Sequence, residues 1–182
     1  MIKTFMCNIF WDFDGTLAYR DGMWSATLLS LLNKAGINDI PIEIIRPYLK
    51  TGFTWHNFEH SHKELFNGKT WYEYYDSYFY EILIRIGVNE SISKELSKNV
   101  ILEYMDKTKW FIYDDVTEAM EKTVKYGFRN YVLSNHIPEL SRIVENIGIK
   151  SILVRNENTE NYKWYCKDLE NILEKIEEIK RQ

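Results

Sequence analysis

Hydrophobic and polar positions change their spacing several times along the chain, and each change marks a predicted element. Residues 5–11 form a short, nearly continuous apolar run that ends at Asp12. Its length fits a buried strand of a parallel sheet better than a helix. Apolar residues at helical spacing follow from Met23 to Ala35, and Gly36 is suited to end that helix in the left-handed conformation.

Only helical patterns are found between residues 21 and 107. Thr70 and Glu73 have the spacing of a capping box, in which a hydroxyl and a carboxylate satisfy each other's backbone donors at the start of a helix. Pro47 is expected to bend or end the helix that contains it. The helices predicted after the first are Pro41–Leu49, Thr70–Gly87 and Ser93–Lys107.

Strand and helix patterns alternate in the last part of the chain. Such alternation, with a helical segment inserted after the first strand, is typical of an open α/β sheet. We therefore predict an α/β core domain from residues 1–20 and 108–182, and a helical domain from residues 21–107. The predicted elements are a helix at Asp115–Gly127, a strand at Asn130–Ser134, a helix at Pro138–Gly148, a strand at Ser151–Val154 and a helix at Lys167–Lys180.

Composition and charge narrow the function classes. The 182 residues are 45% hydrophobic and 27% charged, with a formal net charge of −4, which is typical of a folded protein and unlike the basic excess of nucleic-acid binders. Cys7 and Cys166 are too few for a disulfide scaffold and form no CxxC pair. No apolar stretch has the length of a membrane span or the cleavage site of a signal peptide. We expect a cytoplasmic protein that binds neither membranes nor nucleic acids.

Two acidic residues follow the first predicted strand. Asp12 and Asp14 are two positions apart, so that on extended backbone their side chains share one face. Two close carboxylates repel each other unless a cation or proton lies between them, which favours a divalent metal ion. Gly15 permits a tight turn beside a ligand, and the Thr16 hydroxyl with nearby N–H groups can bind an anion.

Other interpretations of this segment are a solvated turn, a calcium-binding loop and a phosphate-binding P-loop. Thr16 and Leu17 stand where a calcium-binding loop needs Asp or Asn and then Gly, and no GxxxxGK sequence is present for a P-loop.

A second predicted strand also ends in polar residues, at Ser134, Asn135 and His136. Because ligands bind outside the carboxyl ends of strands in open α/β sheets, these two strand ends are the candidate site.

The segment around the two acids, Asn8–Leu17, resembles the first motif of the haloacid dehalogenase (HAD) superfamily, an apolar strand followed by DxDGT. Tyr131–Asn135 is similar to the second motif, a strand that ends in Ser or Thr. The helical segment lies where the family's first type of cap is inserted, and the resemblance covers roughly the first 150 residues. It implies a Rossmann-like open parallel sheet with an inserted α-helical cap, which closes over the active site.

The resemblance also implies roles for the residues at the two strand ends. Asp12 would be the nucleophile that forms an aspartyl-phosphate, and Asp14 would protonate the leaving oxygen and then activate water. Ser134 and the Asn135 N–H would hold phosphate oxygens. Magnesium would be bound by the Asp12 carboxylate and the backbone carbonyl of Asp14. Because dehalogenating members of the family lack the second Asp, phosphate chemistry is implied.

Two further family motifs are not found: a lysine that is usually followed by proline, and a later strand that ends in Gly-Asp. The chain reads as if one βαβ unit of roughly 30 residues were missing near Lys150. If the strand at 152–154 packs beside the first strand, Glu157 is the candidate for the missing acid. Lys150 or Lys163 would then take the place of the lysine.

Together these features predict a magnesium-dependent phosphatase that acts on a small phosphorylated metabolite. The alternatives left open are a HAD-like protein that binds phosphate without full catalytic equipment, and a phosphomutase of the same fold.

His56 and His60 are four residues apart, which on a helix would allow zinc binding, although no third ligand stands out. The aromatic residues at 71–80 are predicted to be helix core rather than a stacking platform for bases or sugars.

Overall fold

The computed structural model describes the backbone of residues 8–57, 59–65 and 68–134, and two short strands closer to the C-terminus. This part of the chain is mixed α/β, with a small parallel sheet and a majority of helices. The chain divides into two compact units, one formed by residues 1–21 and 107–151 and the other by residues 22–106 and 152–182. The predicted place of residues 152–182 in the core domain concerns residues almost wholly outside the described part, and it stays a prediction.

Apart from two strands of two residues each, at Ala18–Tyr19 and Phe111–Ile112, the described elements follow the predicted order as far as residue 132. The helices predicted from Pro138 and Lys167 lie outside the described residues. The strands are β1 (Asn8–Trp11), β2 (Ala18–Tyr19), β3 (Phe111–Ile112), β4 (Arg129–Val132), β5 (Leu153–Val154) and β6 (Tyr165–Cys166). The α-helices are α1 (Met23–Lys34), α2 (Ile42–Ile45), α3 (Gly68–Arg85), α4 (Glu90–Tyr104) and α5 (Val116–Lys125), with 3₁₀ turns at Arg46–Lys50, Thr54–Asn57, Lys63–Leu65 and Lys107–Lys109. None of the described helices is both long enough and apolar enough to cross a bilayer.

A parallel pair of strands forms the sheet of the first unit. β1 and β4 pair in parallel over four residues, ending with Trp11 opposite Val132. Apolar runs predict both strands, and the parallel pairing is the one that an open α/β sheet requires. Phe10 and Tyr131 lie opposite each other in this register, and their rings stack with centroids 5.5 Å apart.

An antiparallel ribbon of β2 and β3 belongs to the same unit, with Ala18 opposite Ile112 and Tyr19 opposite Phe111. The sequence pattern does not predict this ribbon, because strands of two residues show no alternation. In chain order the ribbon encloses the helical segment, since β2 ends before α1 and β3 begins after α4. β5 and β6 also pair in parallel; β5 lies within a predicted strand, whereas β6 is not predicted.

Between Gly22 and Asp106 the described residues form only helices, turns and loops, as predicted. Buried aromatic rings fill the space between α1, α3 and α4. The indole of Trp24 stacks on the ring of Tyr104 with centroids 3.7 Å apart, and it also contacts the fully buried ring of Phe79. Such contacts add packing energy to the burial of large apolar surfaces and hold the three helices together.

A buried carboxylate links α4 to α1 in this unit. The side chain of Glu103 is 7% exposed and accepts hydrogen bonds from Ser30 Oγ at 2.7 Å and from Lys34 Nζ at 2.5 Å. A buried charge is costly unless it is paired and hydrogen-bonded, so both partners offset the desolvation of this carboxylate.

Two helix starts differ from the predicted ones. α3 begins two residues before Thr70, so the prediction of a capping box at this residue is wrong. The Thr70 hydroxyl instead donates to the Glu64 carbonyl at 2.7 Å. α4 begins three residues earlier than predicted, because the side chain of Asn89 caps it by accepting the Ser91 N–H at 2.9 Å. The predicted helix at 41–49 is α2, which continues into a 3₁₀ turn that contains Pro47.

Tyrosine hydroxyls on α3 hold the loop at residues 48–54. Burial raises the pKa of Tyr75 and of Tyr78 above the ordinary tyrosine range, so both hydroxyls stay protonated near neutral pH. Tyr75 and Phe79 are buried, which confirms the predicted helix core for these two residues, whereas Tyr74 is 38% exposed. The hydrogen bonds run from Tyr74 Oη to the Gly52 carbonyl at 2.8 Å, from Tyr78 Oη to the Thr51 and Tyr48 carbonyls at 2.6 and 3.1 Å, and from the Thr54 N–H to Tyr75 Oη at 3.3 Å.

Replacement of Gly52 by alanine is expected to destabilise the protein more than the same change at Gly36. Both glycines have a positive φ, +93° and +79°, which costs an L-residue about 1–2 kcal/mol. An added Cβ at Gly52 would also collide with the Tyr78 ring, whereas at Gly36 no atom lies within 4 Å of it. In urea titrations Gly52→Ala should therefore lose about 1–3 kcal/mol more unfolding free energy than Gly36→Ala. Equal losses would contradict the packing of Tyr78 against this loop.

Candidate active site

The parallel register brings the two predicted strand ends to the same edge of the sheet. The last paired residues are Trp11 and Val132, and the ladder extends by one hydrogen bond, from the Leu133 N–H to the Trp11 carbonyl at 2.9 Å. Asp12 is the first residue after β1, and Ser134 is the second residue after β4. Both residues therefore follow the carboxyl edge of one parallel pair, which is where ligands bind in open α/β sheets.

The residues after β1 form a compact turn, which we call the acidic turn (residues 12–18). The carbonyl of Phe13 accepts three backbone N–H groups, from Thr16 at 3.4 Å, Leu17 at 3.0 Å and Ala18 at 3.0 Å. The side chains of Phe13, Leu17 and Ala18 are buried, and the Phe13 ring contacts Trp110 with centroids 5.3 Å apart. Burial of these side chains fixes the turn on the first unit.

Gly15 closes the acidic turn in the left-handed conformation. Its φ is +74°, and its N–H donates to the Ala18 carbonyl at 2.9 Å, while Asp14 and Ala18 form a single β-bridge. No atom lies within 4 Å of a Cβ built on Gly15, so the backbone conformation, and not lack of space, favours glycine here. The tight turn that the sequence predicts at Gly15 is therefore present.

The polar side chains of the acidic turn are the more accessible ones. Asp12 and Thr16 are exposed, and Asp14 and Ser134 are partly buried. Asp12 Oδ1 accepts the Phe13 N–H at 2.8 Å, which orients the carboxylate. The turn thus directs its apolar side chains inward and leaves the Asp12 carboxylate and the Thr16 hydroxyl at the surface, where a ligand can contact them. Of the predicted site residues, Asn135 lies outside the described part of the chain.

Asn130 in β4 holds the elements behind the site together. Its Oδ1 accepts hydrogen bonds from Trp11 Nε1 and from Thr123 Oγ1, each at 2.9 Å, and its Nδ2 donates to the Met120 carbonyl at 3.2 Å. One side chain therefore connects β1, β4 and α5. The sequence pattern does not predict this role; the signal that could have indicated it is the asparagine at the start of the predicted strand Asn130–Ser134, because a polar side chain that is withdrawn from water needs hydrogen-bond partners.

The donor set at this edge suits magnesium in its chemistry. Carboxylate and carbonyl oxygens are hard ligands, and magnesium is usually held by one or two carboxylates with water and substrate phosphate completing its octahedron. Asp12 and Asp14 supply such donors. Among the described residues no cluster of three or more His, Cys, Asp or Glu side chains could cage a metal ion. The residues considered as replacements for the missing motifs, Lys150, Glu157 and Lys163, lie outside the described range.

The histidine pair considered for zinc does not lie on one helix. His56 belongs to a 3₁₀ turn that ends at Asn57, and His60 follows that turn. The i, i+4 spacing therefore does not place both imidazoles on a helix face, and neither residue belongs to a metal-binding cluster within the described part of the chain.

Comparisons with known proteins give structural matches alone. No family model matches the chain, and no curated protein matches its sequence. The chain is similar to a solved structure described as a predicted phosphoglycolate phosphatase from Haemophilus somnus 129PT, with a TM-score of 0.47 and 15% identity over 79% of this chain and 58% of that one. It is also similar to a 2-haloacid dehalogenase from Pseudomonas syringae pv. tomato DC3000, with a TM-score of 0.45 and 14% identity over 96% of this chain and 73% of that one. With TM-scores below 0.5, neither likeness supports a conclusion about family or function.

Replacement of Asn130 by alanine is expected to cost about 1–3 kcal/mol of unfolding free energy, because it leaves partly buried donors on Trp11 and Thr123 without this acceptor. Asn99→Ala is the matched control, since that amide makes an exposed hydrogen bond to Glu95 within its own helix and should change stability by less than about 0.5 kcal/mol. Urea titration measures both losses. A cost for Asn130→Ala as small as that of the control would show that the network does not hold β1 and β4 together.

Proposed function

We propose that the protein is a HAD-like hydrolase that acts as a magnesium-dependent phosphatase on a small phosphorylated metabolite. The observation that supports this most is the parallel register of β1 and β4, which sets Asp12 and Ser134 at one carboxyl edge. The acidic turn adds Asp14 and Thr16 next to the end of β1. Acids and hydroxyls together at such an edge suit the binding and transfer of a phosphoryl group.

Asp12 is the proposed nucleophile. Its carboxylate is exposed, so a substrate can approach it from solvent, and the Phe13 N–H orients it. A bond forms between an Asp12 oxygen and phosphorus while the bond from phosphorus to the alcohol oxygen breaks, which gives an aspartyl-phosphate and the alcohol. Water then attacks phosphorus, inorganic phosphate leaves, and the carboxylate is restored. One difficult displacement is in this way divided into two easier steps.

Asp14 is the proposed acid and base. In its protonated form it donates a proton to the departing alcohol oxygen, and in the second step its carboxylate accepts a proton from the attacking water. Asp14 is partly buried, and its Oδ1 is inaccessible to solvent, whereas Asp12 is exposed. The two acids therefore differ in environment, which is consistent with different roles.

The phosphate oxygens have three proposed partners. They are the Thr16 and Ser134 hydroxyls and the Asn135 N–H, because donors of this kind stabilise charge that develops during transfer. Asp12 and the Asp14 carbonyl are the groups that would hold magnesium. The ion supplies charge that offsets the repulsion between the carboxylates and the phosphate.

A second candidate function is phosphate binding without turnover. It is favoured by the absence of a third acid beside Asp12 and Asp14 in the described part of the chain. Without a further carboxylate the metal ion is held less tightly, and without the lysine the phosphate lacks a neutralising partner.

Hydrolysis of p-nitrophenyl phosphate with magnesium tests the proposal. Asp12→Asn should lower kcat by about 10³-fold or more because it removes the nucleophile, and Asp14→Asn by about 10²–10⁴-fold because it removes the proton donor. Asp21→Asn, an exposed acid of the same unit outside the acidic turn, is the matched control and should keep wild-type kcat.

Two outcomes of this assay would contradict the phosphatase. Wild-type turnover that survives Asp12→Asn would exclude an Asp12 nucleophile. No wild-type turnover, together with binding of vanadate that Asp12→Asn weakens, would favour the binding function instead.

A further inference from the structure

Two exposed aromatic rings stand on the ribbon of β2 and β3, and a third directly follows β3. We propose that these rings, Tyr19, Phe111 and Tyr113, form a platform on which a planar ring of the substrate's alcohol group stacks. We call them the aromatic platform. The inference rests on the proposed function, and it names the substrate class as phosphate monoesters of alcohols that carry an aromatic ring.

The rings of the platform form one contiguous surface. Tyr19 stands between the other two, with its ring centroid 5.5 Å from that of Phe111 at an interplanar angle of 29° and 4.8 Å from that of Tyr113 at 37°. Tyr19 and Phe111 are opposite each other in the ribbon, so the backbone pairing holds their rings in place. A ligand would therefore meet a surface that is already arranged, which lowers the entropic cost of binding.

The rings are also accessible. Tyr19 is 36% exposed, Phe111 46% and Tyr113 37%. Single exposed apolar side chains are common on protein surfaces, but a contiguous exposed aromatic cluster is a feature of binding sites. The exposed ring surface can stack on a flat π-system, and an aromatic pair contributes about 0.5–1.5 kcal/mol beyond the burial of its area.

The ribbon is tied to the acidic turn by backbone hydrogen bonds. The Tyr113 N–H donates to the Leu17 carbonyl at 3.2 Å, and the Gly15 N–H donates to the Ala18 carbonyl at 2.9 Å. Ala18 also forms the β-bridge with Asp14, and Tyr19 is the next residue. Two platform rings thus stand on residues bonded or adjacent to the turn that carries the proposed acids. The proposal therefore places the alcohol group of a substrate whose phosphate is held at Asp12 against these rings.

The small area of the aromatic platform and the negative charge of the chain favour a small ligand ring over a larger partner. Three side chains offer far less area than the roughly 800 Å² per partner of a stable protein interface. The chain has a formal net charge of −4, which does not favour adsorption to anionic lipid headgroups. We therefore assign the platform to the substrate of the same site.

The test compares 2-phenylethyl phosphate with 2-cyclohexylethyl phosphate. The two alcohols are alike in size and as leaving groups, and the saturated ring is at least as hydrophobic, so a preference for the phenyl ester reports stacking. The ratio of the two kcat/KM values for wild type should be about 3–10 in favour of the phenyl ester. Because it is a ratio, it does not depend on the fraction of enzyme that is folded.

Variants identify the rings responsible. Tyr19→Ala and Phe111→Ala should bring the ratio close to 1, whereas Tyr19→Phe should keep it, because the ring remains. Tyr126→Ala is the matched control, since this tyrosine is 81% exposed in the same unit but outside the platform, and its loss should leave the ratio unchanged. A wild-type ratio near 1, or a ratio that Tyr19→Ala and Phe111→Ala do not change, would overturn the inference.

Binding of the corresponding phosphonates separates this inference from the proposed function. If neither ester is hydrolysed, calorimetry with 2-phenylethylphosphonate and 2-cyclohexylethylphosphonate still measures stacking. Tighter binding of the phenyl compound that Tyr19→Ala abolishes would support the platform, although the phosphatase would be rejected. Equal affinity for the two phosphonates would overturn the platform whether or not the enzyme turns over phosphate esters.

Discussion

The parallel pairing of β1 with β4 is the constraint on which the proposed site depends. Side chains alternate between the faces of a strand, so a shift of one residue would turn every side chain of β1 to the opposite face and displace Asp12 along the edge. Trp11 fixes this register, because its indole donates to Asn130 and its carbonyl accepts the Leu133 N–H. A partly buried side-chain contact between the two strands thus helps to fix which groups meet at the edge of the sheet.

The acidic turn follows β1 directly and keeps Asp12 accessible at the edge of the sheet. Phe13 gives the turn its stability in two ways: its ring is buried, and its carbonyl accepts three N–H groups. Because the apolar side chains of the turn are buried, Asp12 and Thr16 remain at the surface with no large cost of desolvation. The same backbone continues into β2, so the acidic turn and the ribbon of β2 and β3 are directly connected in the first unit.

Sequence patterns predict the parts of this structure that depend on local composition. The apolar runs of β1 and β4, the helical region and the turn at Gly15 all follow from residue type and spacing. The β2–β3 ribbon could not be predicted, because Tyr19 and Phe111 are far apart in the chain and each strand is too short to show a period. The start of α3 was misplaced because Thr70 fits a cap by sequence, whereas its hydroxyl is used by the Glu64 carbonyl in the folded chain. The network at Asn130 likewise depends on contacts that only the fold creates.

A crystal structure of the protein grown with magnesium and tungstate, a stable analogue of phosphate, would test whether Asp12 and Ser134 bind one anion. We expect tungstate at the carboxyl edge of β1 and β4, with one oxygen accepting a hydrogen bond from Ser134 Oγ and the tungsten atom facing the Asp12 carboxylate. Tungstate bound elsewhere, or Ser134 Oγ beyond hydrogen-bond distance of an anion held at Asp12, would contradict it.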